Sequence, residues 1–199
     1  DQTISIYNDH TKSPVFVCKI KAADTNLMNY MLLMEHYDPE HKQRTLAYTN
    51  SKANAIENAR KFAKKRKDLN DPELKRLAND IKREVHGDYF LSDIVEKGVA
   101  YHIGYLPSSI RQRIEQLFKD GKITTMFCTS TLIEGVNLPA DNLFIANNYN
   151  GRPKMTGVEF KNLVGRVGRI KFNLYGNVFF VTDGERTTEQ EYLKLLREP

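Results

Sequence analysis

The sequence lacks the features of a secreted or membrane protein. It has two cysteines in 199 residues, Cys18 and Cys128, and their separation matches no metal-ligand spacing. No apolar run approaches the roughly 20 residues that cross a bilayer, and the opening DQTISIYNDH is too polar for a secretory leader. We therefore expect a reduced, intracellular protein, cytoplasmic or nuclear, with no metal ligands of its own and no membrane contact.

Low-complexity tracts and an internal repeat at a fixed period are also missing from the sequence. Hydrophobic residues make up 40% of the chain and charged residues 28%, as in an ordinary globular protein with a core. We expect a single globular domain, in which residues 1–40 form a linker or a leading strand and helix and residues 41–199 form the main body. Met28, Met31 and Met34 suit a core better than a binding surface.

Positive charge is in modest excess and is clustered. The formal net charge is +5, and six of the eight positions from 60 to 67 are Lys or Arg. Such a cluster fits a solvated helix end and a nucleic-acid surface equally well. Charge alone leaves that choice open.

Short apolar runs alternate with helical patterns along most of the chain. The pattern predicts strands at residues 15–20, 45–48, 98–102, 123–128, 143–146 and 177–181. Helices between them begin at Asp71-Pro72, at a capping box of Ser109 and Gln112, and near Thr187. This alternation predicts an α/β fold with a mainly parallel sheet. Ligands collect beyond the carboxyl ends of such strands, so the candidate loops are residues 49–52, 102–108, 129–137 and those leading into Asn162.

The segment NLVGRVGR, residues 162–169, carries the most specific pattern. Thr156 and Glu159 form a capping box that starts a helix, and apolar residues then recur at helical spacing. Asn162, Arg166 and Arg169 fall on the opposite face. A solvated surface fits this face, but two glycines each cost a helix about 0.8–1.0 kcal/mol and let a ligand approach closely. We interpret the face as an anion-binding one, since guanidinium groups bind phosphate bidentately.

Four segments together resemble superfamily-two helicases. NLVGRVGR resembles their sixth motif, and TSTLIEGVNLPA (129–140) resembles the fifth, with an ending typical of the superkiller-type (Ski-like) DExH branch. YHIGYLPSSIRQRIEQLFKDGKI and LAYTNSK resemble the preceding segment and the fourth motif. The resemblance covers roughly residues 45–183. It implies a RecA-like, three-layer α/β/α fold, namely the second core domain of a helicase.

The resemblance also implies residue roles on the nucleotide side. Arg169 matches the arginine finger that stabilises the transferring phosphoryl group, with Arg166 beside it. Asn162 stands where the family has Gln, a residue that helps to place the γ-phosphate and the attacking water. Gly135 and Asn137 match fifth-motif positions near the nucleotide.

On the strand side, Ser51, Gly104 and Thr129 match positions that contact the nucleic-acid backbone. For Thr129 the alternative is capping of a strand end, and Arg111 fits either nucleic-acid contact or capping of its own helix face. His102 fits either contact or packing in the core.

Neither a P-loop, Gly-x-x-x-x-Gly-Lys-Ser/Thr, nor an Asp-Glu pair ending an apolar strand occurs in the sequence. The resemblance places both in a preceding N-terminal RecA-like domain, which would bind ATP with Mg²⁺. The sequence therefore predicts half of an ATP-dependent helicase that is inactive alone and contacts single-stranded RNA or DNA. Two alternatives stay open: a non-catalytic module that binds nucleic acid or protein through a retained helicase fold, and a domain that supplies its arginine finger in trans to a separate ATPase.

Overall fold

Fourteen helices and strands alternate along the part of the chain that the structure describes. The computed structural model describes residues 2–7, 14–20, 26–85, 89–130, 138–165, 176–182 and 187–198. The strands are β1 (Gln2–Tyr7), β2 (Pro14–Ile20), β3 (Thr45–Tyr48), β4 (Val99–His102), β5 (Thr125–Cys128), β6 (Asn142–Ile145) and β7 (Asn177–Phe180). The helices are α1 (Asn26–Tyr37), α2 (Lys52–Ala63), α3 (Pro72–Glu84), α4 (Tyr89–Val95), α5 (Ser108–Lys119), α6 (Gly157–Val164) and α7 (Glu189–Arg197).

The described strands form one sheet in the order β2-β1-β7-β6-β3-β5-β4. The five strands from β7 to β4 are parallel, and helices flank them, as expected for a RecA-like α/β fold. Strands β1 and β2 form an antiparallel ribbon whose first strand pairs with β7. This ribbon and α1 lie within the predicted 1–40 segment, so at least that part of the segment joins the sheet and the core.

Burial follows the strand order. Every residue of β4, β5 and β6 is buried, as a parallel strand covered on both faces requires. Between the sheet and its helices lie large side chains with under 2% exposure, among them Tyr48, Phe62, Tyr101, Phe127, Phe144 and Phe160. Met28 and Met31 are buried and Met34 packs against the core, which confirms that these methionines are core residues.

Helix starts follow local chemistry in most places. Asp71 caps α3 by accepting hydrogen bonds from the N–H groups of Glu73 and Leu74, and Pro72 is the first helical residue. The capping box expected at Ser109 and Gln112 is wrong, because the N-cap of α5 is Pro107, two residues before Ser109, and has no side-chain cap. The ring of Pro107 fixes φ at −51°, which already suits a helix start.

Candidate nucleic-acid interface

Three neighbouring strands deliver the predicted backbone-contact residues to one edge of the sheet. β3, β5 and β4 lie side by side in parallel register, with Tyr48 beside Cys128 and Cys128 beside His102. The next residues along each strand therefore leave the sheet at the same edge, which we call the carboxyl edge. Ser51 follows β3, Gly104 follows β4 and Thr129 follows β5.

Ser51 lies at the N-cap of α2. Its Oγ accepts a hydrogen bond from the N–H of Asn54 at 3.2 Å, in extended N-cap geometry. The first N–H groups of a helix have no partner within the helix and carry partial positive charge, so a half-buried hydroxyl here sits among anion-attracting donors. The loop is anchored from below, because the N–H of Thr49 donates to the carbonyl of Cys128 at 2.9 Å.

Gly104 lies at the exposed tip of a turn between β4 and α5. Ile103 and Leu106 on either side are buried, and the N–H of Leu106 donates to the carbonyl of Ile103 at 3.3 Å. Between them Tyr105 is 77% exposed. The Nζ of Lys52, at the start of α2, lies 3.5 Å from the centroid of the Tyr105 ring. This contact joins the loops of β3 and β4 across the end of β5.

Thr129 and Arg111 are less open than the resemblance implies. Thr129 is only 5% exposed, although it stands at the end of β5 as expected. Arg111 is half-buried on α5, where its Nη2 donates to the Oγ of Ser108 in the same helix at 3.4 Å. Arg111 therefore contacts its own helix face, which is the second of the two roles expected for it from the sequence.

His102 is a packed residue. It is 1% exposed, and its Nε2 lies 2.8 Å from the Oε1 of Glu115 on α5. The pair attaches α5 to the end of β4, below the Gly104 turn. The packing alternative for His102 is therefore the one that the structure supports.

An asparagine network, formed by Asn50, Asn147 and Asn150, joins the β3 loop to α6. The Nδ2 of Asn147 donates to the Oδ1 of Asn50 at 3.2 Å, and the Nδ2 of Asn50 donates to the carbonyl of Gly151 at 3.1 Å. The Nδ2 of Asn150 then donates to the Oε1 of Glu159 at 2.8 Å. Residues next to Ser51 are thereby connected to the first turn of α6.

The hydroxyl of Tyr48 fixes the same connection from within the core. It donates to the carbonyl of Tyr149 at 2.7 Å. Burial, the largest cause, raises the pKa of Tyr48 well above its ordinary value of 10.0, so the hydroxyl remains a proton donor at neutral pH. Burial likewise raises the pKa of the neighbouring Cys128 thiol to about 12, which makes it a packing group rather than a nucleophile.

Helix α6 begins with the capping box that the sequence predicts. The Thr156 side chain accepts from the N–H of Glu159, and the Glu159 carboxylate accepts from the N–H of Thr156 at 2.8 Å. The bond from the Thr156 N–H to the carboxylate, followed by that from Asn150, lowers the pKa of Glu159 below its ordinary value of 4.5. Phe160 and Leu163 are buried, whereas Asn162 is exposed on the other side. The helix therefore has a packed face and a polar face, as expected.

A comparison with known proteins decides the family. The helicase conserved C-terminal domain matches residues 25–171, about three quarters of the chain. The chain belongs to this family. A resemblance to superfamily-two helicases is thus confirmed at the level of the C-terminal domain.

Individual relatives are similar over shorter or more divergent stretches. An ATP-dependent DNA helicase Hel308 of Pyrobaculum calidifontis is 29% identical over 160 residues, 75% of this chain and 22% of the relative. A DNA polymerase theta of Caenorhabditis elegans is 27% identical over 182 residues, 85% of this chain and 11% of the relative. Anti-bacteriophage protein B of Escherichia coli is 32% identical over 99 residues, half of this chain and 14% of the relative. The chain thus spans less than a quarter of the length of these relatives.

Four predicted nucleotide-side residues of this helicase C-terminal domain lie outside the described residues: Gly135, Asn137, Arg166 and Arg169. The described part of α6 ends at Val164, with Gly165 as its C-cap. Of the nucleotide-side set, only Asn162 has a described position. The fold brings three predicted strand-contact residues to the carboxyl edge, namely Ser51, Gly104 and Thr129. Asn162 lies on α6, which the asparagine network connects to that edge.

The sequence reasoning missed three contributors to this edge of the helicase domain: Tyr105, Lys52 and the asparagine network. Asn50 and Asn147 are 97 positions apart, so no local pattern could pair them. By sequence alone Tyr105 cannot be told from the aromatic residues of the core, and only its exposure in the structure distinguishes it from them. The signal that could have found it is its place directly after Gly104.

The described ranges contain neither a metal-binding cluster nor a membrane-spanning helix. There, no group of three or more His, Cys, Asp or Glu side chains is arranged to hold a metal ion. None of the described helices has the length and apolar character needed to cross a membrane.

Proposed function

We propose that this domain is the second core domain of an ATP-dependent DNA helicase or translocase and that it grips the backbone of a single strand. The observation that carries the proposal is the common position of Ser51, Gly104 and Thr129 at the carboxyl edge. Three parallel strands bring them together from segments more than 20 residues apart. DNA is the proposed strand because the printed names of the Hel308 relatives specify it.

The chemistry of the edge suits a phosphate backbone. Ser51 offers a hydroxyl among the first N–H groups of α2, and Gly104 offers an exposed backbone unhindered by a side chain. Hydroxyl and N–H donors bind phosphate oxygens without reading the sequence of bases. Thr129 lies deeper, so its contact would be the smallest of the three. A motor needs such a sequence-independent grip, because it must pass every base.

The nucleotide half of the proposal follows the resemblance. Arg169 and Arg166 would face the phosphates of ATP, with Asn162, Gly135 and Asn137 nearby, while an N-terminal RecA-like domain of the same protein would supply the P-loop and the Mg²⁺ ligands. Bound ATP would supply the free energy for closing the two domains. The exposed face of α6 and the network to Asn50 support this proposal, because they give the arginine segment and the strand grip a shared support.

A finer assignment belongs to the same proposal. The Gly-Val-Asn-Leu-Pro sequence at residues 135–139 is typical of the superkiller-type (Ski-like) branch. The relatives are named for Hel308 and polymerase theta, so we propose a position in that branch close to them.

The experiment uses the protein from the complete reading frame, as wild type and as Arg169→Ala. We expect strand-stimulated ATP turnover in the wild type and a loss of at least about 10³-fold in the variant, the scale of an arginine finger. Affinity for single-stranded DNA should change little. Arg76→Ala, an exposed arginine on α3, is the matched control and should turn over normally. Unchanged turnover in Arg169→Ala would sink the assignment.

A second candidate is a non-catalytic strand-binding module, favoured by Asn162 in the place of the family's Gln. It predicts no turnover by the complete protein but strand binding that weakens steeply with salt. The same experiment separates the two candidates, since only the first predicts strand-stimulated turnover.

A further inference from the structure

One large side chain at the carboxyl edge is far more exposed than packing alone explains. Tyr105 is 77% exposed, against 61% for Val158, 45% for Phe90 and 43% for Leu69. Among the described residues it is the most exposed large hydrophobic side chain. An isolated apolar side chain on a surface is normal, so position and support must decide whether this one has a role.

The ring is held in place rather than left loose. The turn that carries it is anchored by buried residues on both sides, Ile103 at 1% and Leu106 at 3% exposure. The ammonium group of Lys52, 3.5 Å from the ring centroid, lies over one face. A cation over an aromatic face stabilises the pair by about 0.5–1 kcal/mol at an exposed site. The ring is therefore oriented before any ligand arrives, with most of its surface still open.

The position of the ring is the second point. Tyr105 directly follows Gly104, and Lys52 directly follows Ser51. The ring thus lies between two of the residues that are proposed to grip the strand backbone. A strand held by Ser51 and Gly104 would pass next to the ring, and Lys52 adds a positive charge at the same place.

We propose that Tyr105 is a stacking platform for one base of the bound single strand and that Lys52 fixes its ring. This inference rests on the proposed strand grip and adds a residue to it. An aromatic ring stacks with any base, so the contact adds affinity without sequence preference, as a translocating domain requires. The ring also gives the domain a way to hold the strand that does not depend on salt.

The experiment measures the affinity of the complete protein for a fluorescent oligo-dT by anisotropy, with Tyr105→Ala, Tyr105→Phe and Phe90→Ala. Phe90 on α4 is the matched control, because it is also an exposed ring beneath a cation. That cation is Arg60 of α2, about 12 Å beyond Lys52 by helical rise. We expect Tyr105→Ala to weaken binding about tenfold, within the range of base stacking on an aromatic ring. Tyr105→Phe keeps the ring and should bind within twofold of the wild type, and Phe90→Ala should bind as the wild type.

A second readout distinguishes stacking from a change in the fold. An abasic site is moved along the oligonucleotide, and its penalty is measured for the wild type and for Tyr105→Ala. Stacking predicts one position at which the abasic site weakens the wild type but not Tyr105→Ala, since the base and the ring act as a pair. If Tyr105→Ala were instead misfolded, its loss of affinity would add to the abasic penalty at every position of the abasic site.

Three results overturn the inference. They are wild-type affinity in Tyr105→Ala, additive penalties at every abasic position, and a loss of ATP turnover at unchanged strand affinity, which would assign the ring to a contact within the protein. The outcome is separable from that of the proposed function. If the wild type binds no single strand, the proposed function and the stacking role both fail. If the wild type binds the strand and needs Arg169 for turnover, but Tyr105→Ala binds with wild-type affinity, only the stacking role fails.

Discussion

The two edges of the parallel sheet use charge in opposite ways. At the amino edge, where β3, β4 and β5 begin, the guanidinium of Arg66 is 5% exposed and bonds to Glu35, to His41 at 3.0 Å and to Thr124 at 2.9 Å. At the carboxyl edge the three residues proposed to grip the strand, Ser51, Gly104 and Thr129, are neutral, and Lys52 adds a positive charge beside Ser51. The basic run at 60–67 ends α2 at the amino edge, away from the candidate site. The densest positive charge in the sequence therefore lies away from the edge that we propose binds the strand.

Arg66 gives the largest expected effect and tests the structural side of this comparison. Arg66→Met removes the partner of Glu35 and leaves a carboxylate that is 20% exposed without its main counter-charge. We expect the free energy of unfolding to fall by about 3 kcal/mol, the lower part of the range for breaking a buried pair. Urea denaturation measures this, with the exposed Lys67→Met as control. Equal stability of the two variants would show that the amino edge does not depend on this pair.

Lys52 and Lys65 test the charge comparison directly, since they lie near opposite ends of the same helix. Lys52→Gln should weaken single-strand affinity about threefold and reduce the salt slope by about 0.7, the value for one phosphate on a single strand. Lys65→Gln should change affinity by less than about 1.5-fold. The measurement is anisotropy at several salt concentrations with the complete protein. A larger effect at Lys65 would move the strand to the amino edge.

Glu159 gives the smallest expected effect and concerns the link between the carboxyl edge and α6. Hydrogen bonds from Thr156 and Asn150 lower the pKa of Glu159 in the folded state. A lowered folded pKa means that the ionised group stabilises the fold above its ordinary value of 4.5, and that this contribution is lost as the pH falls through the lowered value. We expect a few tenths of a kcal/mol, as for an exposed carboxylate at a helix N-terminus.

The measurement is the free energy of unfolding between pH 7 and pH 3 for the wild type and Glu159→Gln. The two curves should converge at low pH, where Glu159 of the wild type is protonated in the folded and in the unfolded state. Glu191, which caps α7 in the same way, offers Glu191→Gln as a matched variant. Parallel curves for Glu159→Gln and wild type over the whole range would contradict the assigned role.

The sequence predicts those parts of the fold that local chemistry controls. Asp71-Pro72 starts α3 and Thr156 with Glu159 starts α6, because a cap acts within three residues. It fails where distant partners decide. Gln2–Tyr7 is a short alternating segment that is not among the strands predicted from the sequence, and its pairing with β2 and β7 identifies it as one. The short helix α4 has no described cap and was missed.

The candidate site likewise has one part that the sequence predicts and another that depends on distant packing partners. The motifs identify Ser51, Gly104 and Thr129, and parallel topology then predicts their common edge. The deep burial of Thr129 depends on packing around the end of β5, which no motif contains. Arg66 looks like one of six solvated cations, yet it is buried because Glu35 lies 31 residues upstream.

The antiparallel ribbon of β1 and β2 has a consequence for the choice of boundaries in a recombinant fragment. β1 pairs with β7 opposite Phe179, on the side of β7 away from β6. A recombinant fragment that begins at residue 25, where the family match begins, would lack the ribbon and leave that side of β7 with unpaired N–H and C=O groups. Such an open edge recruits strands from other molecules. Among the described strands the sheet edge would then pass from β2 to β7, so an expression boundary before Gln2 keeps the β1–β7 pairing that a boundary at the family limit removes.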